Sequence, residues 1–289
     1  MTNNELIEKA ACRIARRDAE TLLLHVARKD RAWLLAHPEA EVRSPEAITF
    51  LDLVGRREAQ TPLQYLTGHQ EFFGLDLEVS PAVLIPRPET ELLVEAVLHW
   101  VRDREATGVS DPRILDVGTG SGAIALALAN QHPRAEIWAV DLSPAALAVA
   151  QSNASRLGLR ERVRFLQSDL LDVVKTTATP APRFDVVVSN PPYVPQADAP
   201  SLQPEVRDHE PHLALFAGAD GLEIYRRLIP QAHAALRPGG LLALEFGFGQ
   251  REALQTLLRD WTAVRFLDDY AGIPRCAFAE RAHPPKPSS

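Results

Sequence analysis

Ile114-Leu115-Asp116-Val117-Gly118-Thr119-Gly120-Ser121-Gly122-Ala123 decides how this chain folds. Four residues of strand character end in a glycine-rich turn, and Ala123 to Ala129 continues as an apolar helix. Glycine suits such a turn because the backbone must reverse sharply and let a ligand approach closely at a helix N-terminus. Asp141 follows 23 positions after Gly118, at the end of the next apolar stretch, where its carboxylate can accept hydrogen bonds from ribose hydroxyls. The spacing Gly118-x-Gly120-x-x-Ala123 with a later acid also fits a dinucleotide-binding fingerprint. The pattern therefore indicates an adenosine-containing cofactor without saying which one.

Outward from this loop, strand and helix patterns alternate. Glu136 to Val140 reads as a strand, Pro144 to Leu157 as a helix and Val163 to Leu166 as a strand. Phe184 to Val188 is an apolar run, broken only by Asp185, of the kind buried on both faces of a parallel sheet. Leu222 to Leu236 is a helix, Arg237-Pro238-Gly239-Gly240 a turn, and Leu241 to Phe246 the next strand. Val264 to Leu267 and Cys276 to Ala279 read as a final antiparallel pair. The expected fold is α/β, a Rossmann-like doubly wound sheet with ligands at the carboxyl ends of its strands. Val194 to Gly221 shows little periodicity and is expected to be a long loop, acting as a lid or substrate clamp.

Upstream the period changes. Residues 1–70 carry helical signals only, including Ser44-Pro45-Glu46 as an N-cap with proline at the first helical position, and Gly68 as a stop. Phe73, Leu75, Leu77 and Val79 then alternate with polar residues or glycine, and Val83-Leu84-Ile85 is expected to pair back as a hairpin. The expected organisation is a helical domain over 1–70, a hairpin linker over 71–87, a catalytic domain over 88–280 and a disordered tail over 281–289.

Composition limits the function. The net charge of −7 argues against long duplex nucleic acid, which basic faces usually meet. No apolar run reaches the length of a membrane span, and the first residues lack the features of a signal peptide. Cys12 and Cys276 stand far apart and suggest a reduced, cytoplasmic setting. The nine histidines show no metal-ligand spacing, so no metal site is expected.

Two features favour S-adenosylmethionine, with S-adenosylhomocysteine as product, over a nicotinamide dinucleotide. Asp169-Leu170 follows the third strand and offers a carboxylate for an adenine amino group and an apolar side chain for its ring. Asn190-Pro191-Pro192-Tyr193 follows the fourth strand and suits nitrogen methylation. An amide or aromatic amine nitrogen is a poor nucleophile because its lone pair is delocalised. Two acceptors, the Asn190 side-chain oxygen and the Pro191 carbonyl, would hold its two N–H bonds so that the lone pair points at a methyl group. The prolines lock φ and extend the preceding residue, while the Tyr193 ring can pack on a flat substrate group. These residues alone leave amide and adenine nitrogens equally open.

Longer motifs narrow the choice. Pro62-Leu63-Gln64-Tyr65-Leu66-Thr67-Gly68, Leu84-Ile85-Pro86-Arg87-Pro88-Glu89-Thr90-Glu91, Leu115 to Gly122, Ser189 to Val194 and Glu210-Pro211-His212-Leu213-Ala214-Leu215-Phe216 together resemble the release-factor glutamine methyltransferase family (PrmC/HemK) along nearly the whole chain. The resemblance implies methylation of the glutamine amide in the Gly-Gly-Gln motif of bacterial class I release factors, helped by the N-terminal helical domain. It implies cofactor contacts from Gly118, Thr119, Gly120, Ser121, Gly122, Asp141, Asp169, Leu170 and Asn190. Asn190, Pro191, Pro192 and Tyr193 would grip the substrate glutamine. Ribosomal-protein glutamine methyltransferases and adenine-N6 DNA methyltransferases, which use the same tetrapeptide type, are the alternatives.

Overall fold

The computed structural model describes residues 1–105, 111–177 and 181–283. Two compact units emerge, one of Met1–His69 with Leu202–His209, the other of Gln70–Ser201 and the chain from Glu210 onward.

The smaller unit contains α1 (Asn3–Ala11), α2 (Arg16–Ala27), α3 (Arg31–Ala36), α4 (Ser44–Glu58) and α5 (Leu63–Thr67). Leu6, Leu22, Leu23, Phe50 and Val54 recur at helical spacing and form its core. Thr2 and Glu5 make a reciprocal capping box on α1, satisfying backbone N–H groups that a helix start leaves orphaned. The cap of α4 differs from expectation: Arg43, not Ser44, is the capping residue, and it makes no side-chain cap bond. Gly68 ends α5 in the left-handed conformation, at φ 80°.

The larger unit opens with a hairpin of β1 (His69–Phe72) and β2 (Leu75–Glu78). The expected partner, Val83-Leu84-Ile85, is not a strand; the turn falls instead at Phe73-Gly74. Both turn residues have positive φ, 51° and 77°, which suits a two-residue hairpin but is disfavoured for phenylalanine. Carboxylates hold the turn, with Glu91 accepting from the Phe73 N–H at 2.9 Å and Glu71 from the Gly74 N–H at 2.6 Å. Phe72, Leu75 and Leu77 are buried in this unit's core.

Then follow α6 (Pro88–Glu105), β3 (Arg113–Val117), α7 (Ala123–Gln131), β4 (Glu136–Asp141), α8 (Pro144–Arg156), β5 (Val163–Gln167), α9 (Asp172–Thr176) and β6 (Phe184–Ser189). The chain continues through α10 (Pro204–His209), α11 (Glu223–Ala235), β7 (Leu236–Glu245), α12 (Arg251–Leu257), β8 (Thr262–Asp268) and β9 (Pro274–Glu280). The sheet order is β5-β4-β3-β6-β7-β9-β8. β3 pairs in parallel with both β4 and β6, and β7 with β6, while β9 runs antiparallel to β7 and β8. Helices cover both faces, which is why all six residues of β6 are buried.

Two connections depart from expectation. Arg237 to Gly240 is a bulge inside β7, where pairing jumps from Phe184↔Leu236 to Val186↔Leu241. The stretch 194–221 is structured, with 3-10 turns at Gln196–Ser201 and His212–Ala214 flanking α10. Such short helical turns span too little chain to show a period. The ends of this stretch are pinned together by Val194 N–H to Leu215 O at 2.9 Å and Ala217 N–H to Val194 O at 3.0 Å. The expected disordered tail falls mostly on residues 284–289, outside the described residues. Among the described residues no helix is long and apolar enough to cross a membrane.

Candidate active site

Strand order reverses between β3 and β6, and ligands of doubly wound sheets bind beyond the carboxyl ends of the strands at such a switch point. The glycine loop leaves β3 there, and Asn190 leaves the adjacent β6. Ser189 ties the two ends together, its hydroxyl donating to the Val117 carbonyl at 2.6 Å. A cavity of about 280 Å³ opens at this place. Of the residues expected in the site, Gly118, Thr119, Gly120, Ser121, Asp141, Asp169, Leu170, Asn190, Pro191 and Pro192 line it. Gly122 and Tyr193 do not.

The loop is built around Asp116. Its Oδ2 accepts from the Thr119 hydroxyl at 2.6 Å and from the Ala125 N–H at 3.2 Å, while Oδ1 is buried with no partner. Burial pushes this carboxyl up to about 7, against the pull of those two hydrogen bonds. Gly118 and Gly120 have φ of 74° and 55°, and a Cβ at either meets no atom within 4 Å. That combination of left-handed backbone and open space fits a cofactor approaching the loop closely. Gly122 differs, since a Cβ there would come within 3.0 Å of Leu126 and 3.2 Å of Ala150. Its glycine serves helix packing.

Asp141 bridges the loop and the next helix. One oxygen accepts from the Gly120 N–H at 2.9 Å and the other from the Ser143 N–H at 2.9 Å. Burial raises its pKa, opposed by backbone N–H groups of Ser143, Gly120 and Leu142. Each carboxylate oxygen accepts more than one hydrogen bond, so capacity remains for ribose hydroxyls. Asp169 is ion-paired with Arg227, and Leu170 beside it holds φ at 49°. The donors and apolar walls of this cavity suit an adenosine group.

The tetrapeptide is held from several sides. The Asn190 Nδ2 donates to Thr90 Oγ1 at 3.1 Å, and the Thr90 hydroxyl donates to Glu245 Oε2 at 2.6 Å. Gln250 Nε2 donates to the carbonyls of Tyr193 at 2.9 Å and Gly221 at 3.3 Å, while its oxygen accepts from the Gly247 N–H at 3.0 Å. The Tyr193 ring lies against Gly247, where a Cβ would approach it to 2.9 Å. Burial pushes its phenol up to about 12, so the ring is neutral and packs as an apolar group.

Sequence reasoning assigned no role to several residues now at the site. Asn153, fully buried, donates to the carbonyls of Ser121 at 3.0 Å and Glu78 at 2.9 Å, tying the glycine loop to the hairpin. Arg87 pairs with buried Glu210 at 2.5 Å, joining two of the long motifs. Thr90 and Gln250 had no signal of their own. Glu245 had one, being an acid at the end of an otherwise apolar strand.

The fold and this cavity define an S-adenosylmethionine-dependent methyltransferase, and a family model described as a methyltransferase domain matches residues 109–260. The N-terminal domain of human METTL16 in complex with SAH has the same fold, with a TM-score of 0.53 at 18% identity, over 96% of this chain and 95% of that one. A second family model, the PrmC N-terminal domain, matches residues 4–68. The release factor glutamine methyltransferase of Moorella thermoacetica is 47% identical over 97% of this chain and 99% of its own. That of Koribacter versatilis is 45% identical over 93% and 92%. The chain belongs to the release factor glutamine methyltransferase family.

Proposed function

We propose that this enzyme methylates the side-chain amide nitrogen of the glutamine in the Gly-Gly-Gln motif of bacterial class I release factors, in the cytoplasm. The observation that carries the chemistry is the Asn190 amide, whose nitrogen is committed to Thr90 at 3.1 Å and whose oxygen is thereby turned toward a substrate. Gly118 to Ser121, Asp141, Asp169, Leu170 and Asn190 all line the cavity, which supports assigning them to the cofactor. When bound, S-adenosylmethionine supplies an electrophilic methyl group on a sulfonium.

Asn190 Oδ1 and the Pro191 carbonyl accept the two amide N–H bonds of the glutamine and hold its nitrogen in line with the methyl group. The methyl transfer that the bound cofactor would supply would leave the glutamine nitrogen with one proton to release to water. No general base is needed, because that proton becomes acidic once the nitrogen carries the methyl group. Tyr193 acts from behind, through its ring on Gly247 and its carbonyl on Gln250, to keep the tetrapeptide rigid. The helical unit over residues 1–69 offers the surface that receives the release factor, and a net charge of −7 disfavours the adenine-in-DNA alternative.

The test mixes the enzyme, methyl-labelled S-adenosylmethionine and a bacterial release factor, and maps the label by mass spectrometry. Label on the Gly-Gly-Gln glutamine is expected. Label on DNA or on ribosomal protein instead would overturn the substrate.

A further inference from the structure

An amide side chain has two ends of the same shape and opposite polarity. Asn190 supports nitrogen methylation only with its oxygen toward the substrate; reversed, its NH2 would face the N–H bonds it should accept. Something must decide between the two orientations. The cavity side of Asn190 cannot do so before substrate arrives.

Two residues outside the tetrapeptide can. Thr90 lies in the first turn of α6 and Glu245 at the end of β7, and they are only 4% and 2% exposed. The single Thr90 hydroxyl proton goes to Glu245 Oε2 at 2.6 Å. Thr90 Oγ1 then has lone pairs left and no proton, so toward Asn190 it can only accept, and it does so from Nδ2 at 3.1 Å. A buried acid at a strand end is unfavourable unless it is hydrogen-bonded, and this one is spent on orienting a hydroxyl.

We propose that Thr90 and Glu245 are a positioning pair that sets the polarity of Asn190, turning its oxygen toward the substrate nitrogen. This rests on Asn190 being the acceptor for the glutamine amide. The pair works while Glu245 is ionised. Once protonated, Glu245 can donate to Thr90, the Thr90 proton turns toward Asn190, and the reversed amide is favoured. Burial pushes the Glu245 carboxyl up to about 7, and hydrogen bonding from Thr90 and, more weakly, from the Asn190 amide itself opposes the shift, so Glu245 favours the same amide orientation directly. The charged groups around it are Glu89, which raises it further, and Arg275, which lowers it. Tyr193, Tyr225 and Cys276 also face it, and burial keeps all three neutral over this range.

The experiment measures turnover, KM for the release factor and the dissociation constant for S-adenosylmethionine in the full chain and in Thr90→Val, Thr90→Ser, Glu245→Gln and Asn190→Ala. Thr90→Val is expected to lower kcat on the order of 10–100-fold, as loss of an orienting partner does, with cofactor affinity within about 3-fold. Thr90→Ser, which keeps the hydroxyl, recovers most of that loss. Thr90→Val placed on Asn190→Ala adds no further loss, because nothing is left to orient. Wild-type kcat falls on the acid side of about pH 7, and Glu245→Gln removes that limb. If Asn190→Ala is inactive while Thr90→Val turns over normally, the positioning pair is wrong and the acceptor role of Asn190 stands. If Asn190→Ala turns over normally, that role itself fails. Should Thr90→Val not fold, an unchanged acid limb in Glu245→Gln would overturn the proposal by itself.

Discussion

Arg227 Nη2 donates to Asp169 Oδ2 at 2.6 Å, so the carboxylate expected to meet an adenine amino group already carries a guanidinium. The two side chains are 42% and 45% exposed, and a pair so exposed adds little to stability. Its effect is to hold the carboxylate in one orientation at the cavity wall, with the second oxygen left for a neutral donor.

Asp169→Ala should therefore weaken S-adenosylmethionine binding about 10-fold, the worth of one hydrogen bond. Arg227→Ala should weaken it by only about 2–5-fold, by loosening that orientation. Isothermal titration separates the two. Unchanged affinity in Asp169→Ala would remove Asp169 from the adenine site.

Gly221 packs closely behind the tetrapeptide, against the Tyr193 carbonyl and Gln250. Its φ is 73°, and a Cβ there would land on the Tyr193 carbonyl and within 2.6 Å of Gln250 Nε2. Gly221→Ala should lose roughly 1–3 kcal/mol of stability through strain and crowding. Displacement of the tetrapeptide should lower turnover by at least about 10-fold. Denaturant unfolding and initial rates measure the two effects, and normal rates would show that Tyr193 is not held from this side.

Asp116 makes stability depend on pH in the direction opposite to a salt-bridged acid. Its folded value of about 7 lies above the ordinary 3.8, so the folded protein keeps a proton that the unfolded chain releases between those values. The stability from this group is fully present below about pH 4 and is lost as pH rises through about 7. Relative to Asp116→Asn, wild type should lose up to about 4 kcal/mol over that window. Unfolding midpoints of both proteins from pH 4 to 7.5 test this; a constant difference would mean that Asp116 titrates normally.

Arg57 binds two acids at once, Asp18 at 2.7 Å and Glu205 at 2.6 Å, with its side chain 19% exposed. Glu205 lies on α10, which belongs to the helical unit although it follows the tetrapeptide in the chain. Arg57→Ala leaves two carboxylates facing each other and should destabilise that unit by about 2–3 kcal/mol, less than a fully buried pair would. Arg57→Lys, with a single point charge, should recover only part. Chemical denaturation followed by fluorescence reads the difference. A loss below about 0.5 kcal/mol would place the cluster among ordinary surface pairs.

The doubly wound sheet was legible because its signals are local. Apart from Asp185, which pairs with Arg237, Phe184 to Val188 is apolar, since helices cover both faces of the strand. The glycines after Val117 are glycines for backbone reasons that survive in any single sequence. The tetrapeptide was legible for the same reason, since two prolines after an asparagine restrict the chain wherever they occur. The hairpin partner was misread because the true turn places Phe73 at φ 51°, a conformation its residue type disfavours and the carboxylate of Glu91, 18 positions along the chain, holds. The helical turns within 194–221 escaped because they are too short to repeat.

Local pattern thus decided the elements, their order and the class of chemistry, because propensity, turn geometry and hydrophobic period act between neighbours in the chain. Only folding decided which oxygen of the site would face outward. Thr90, Asn190 and Glu245 lie 100 and 155 positions apart along two of their hydrogen bonds. A hydrogen bond's direction depends on where the last proton in the line can go. That is settled by the burial of an acid at a strand end, and no stretch of chain contains it.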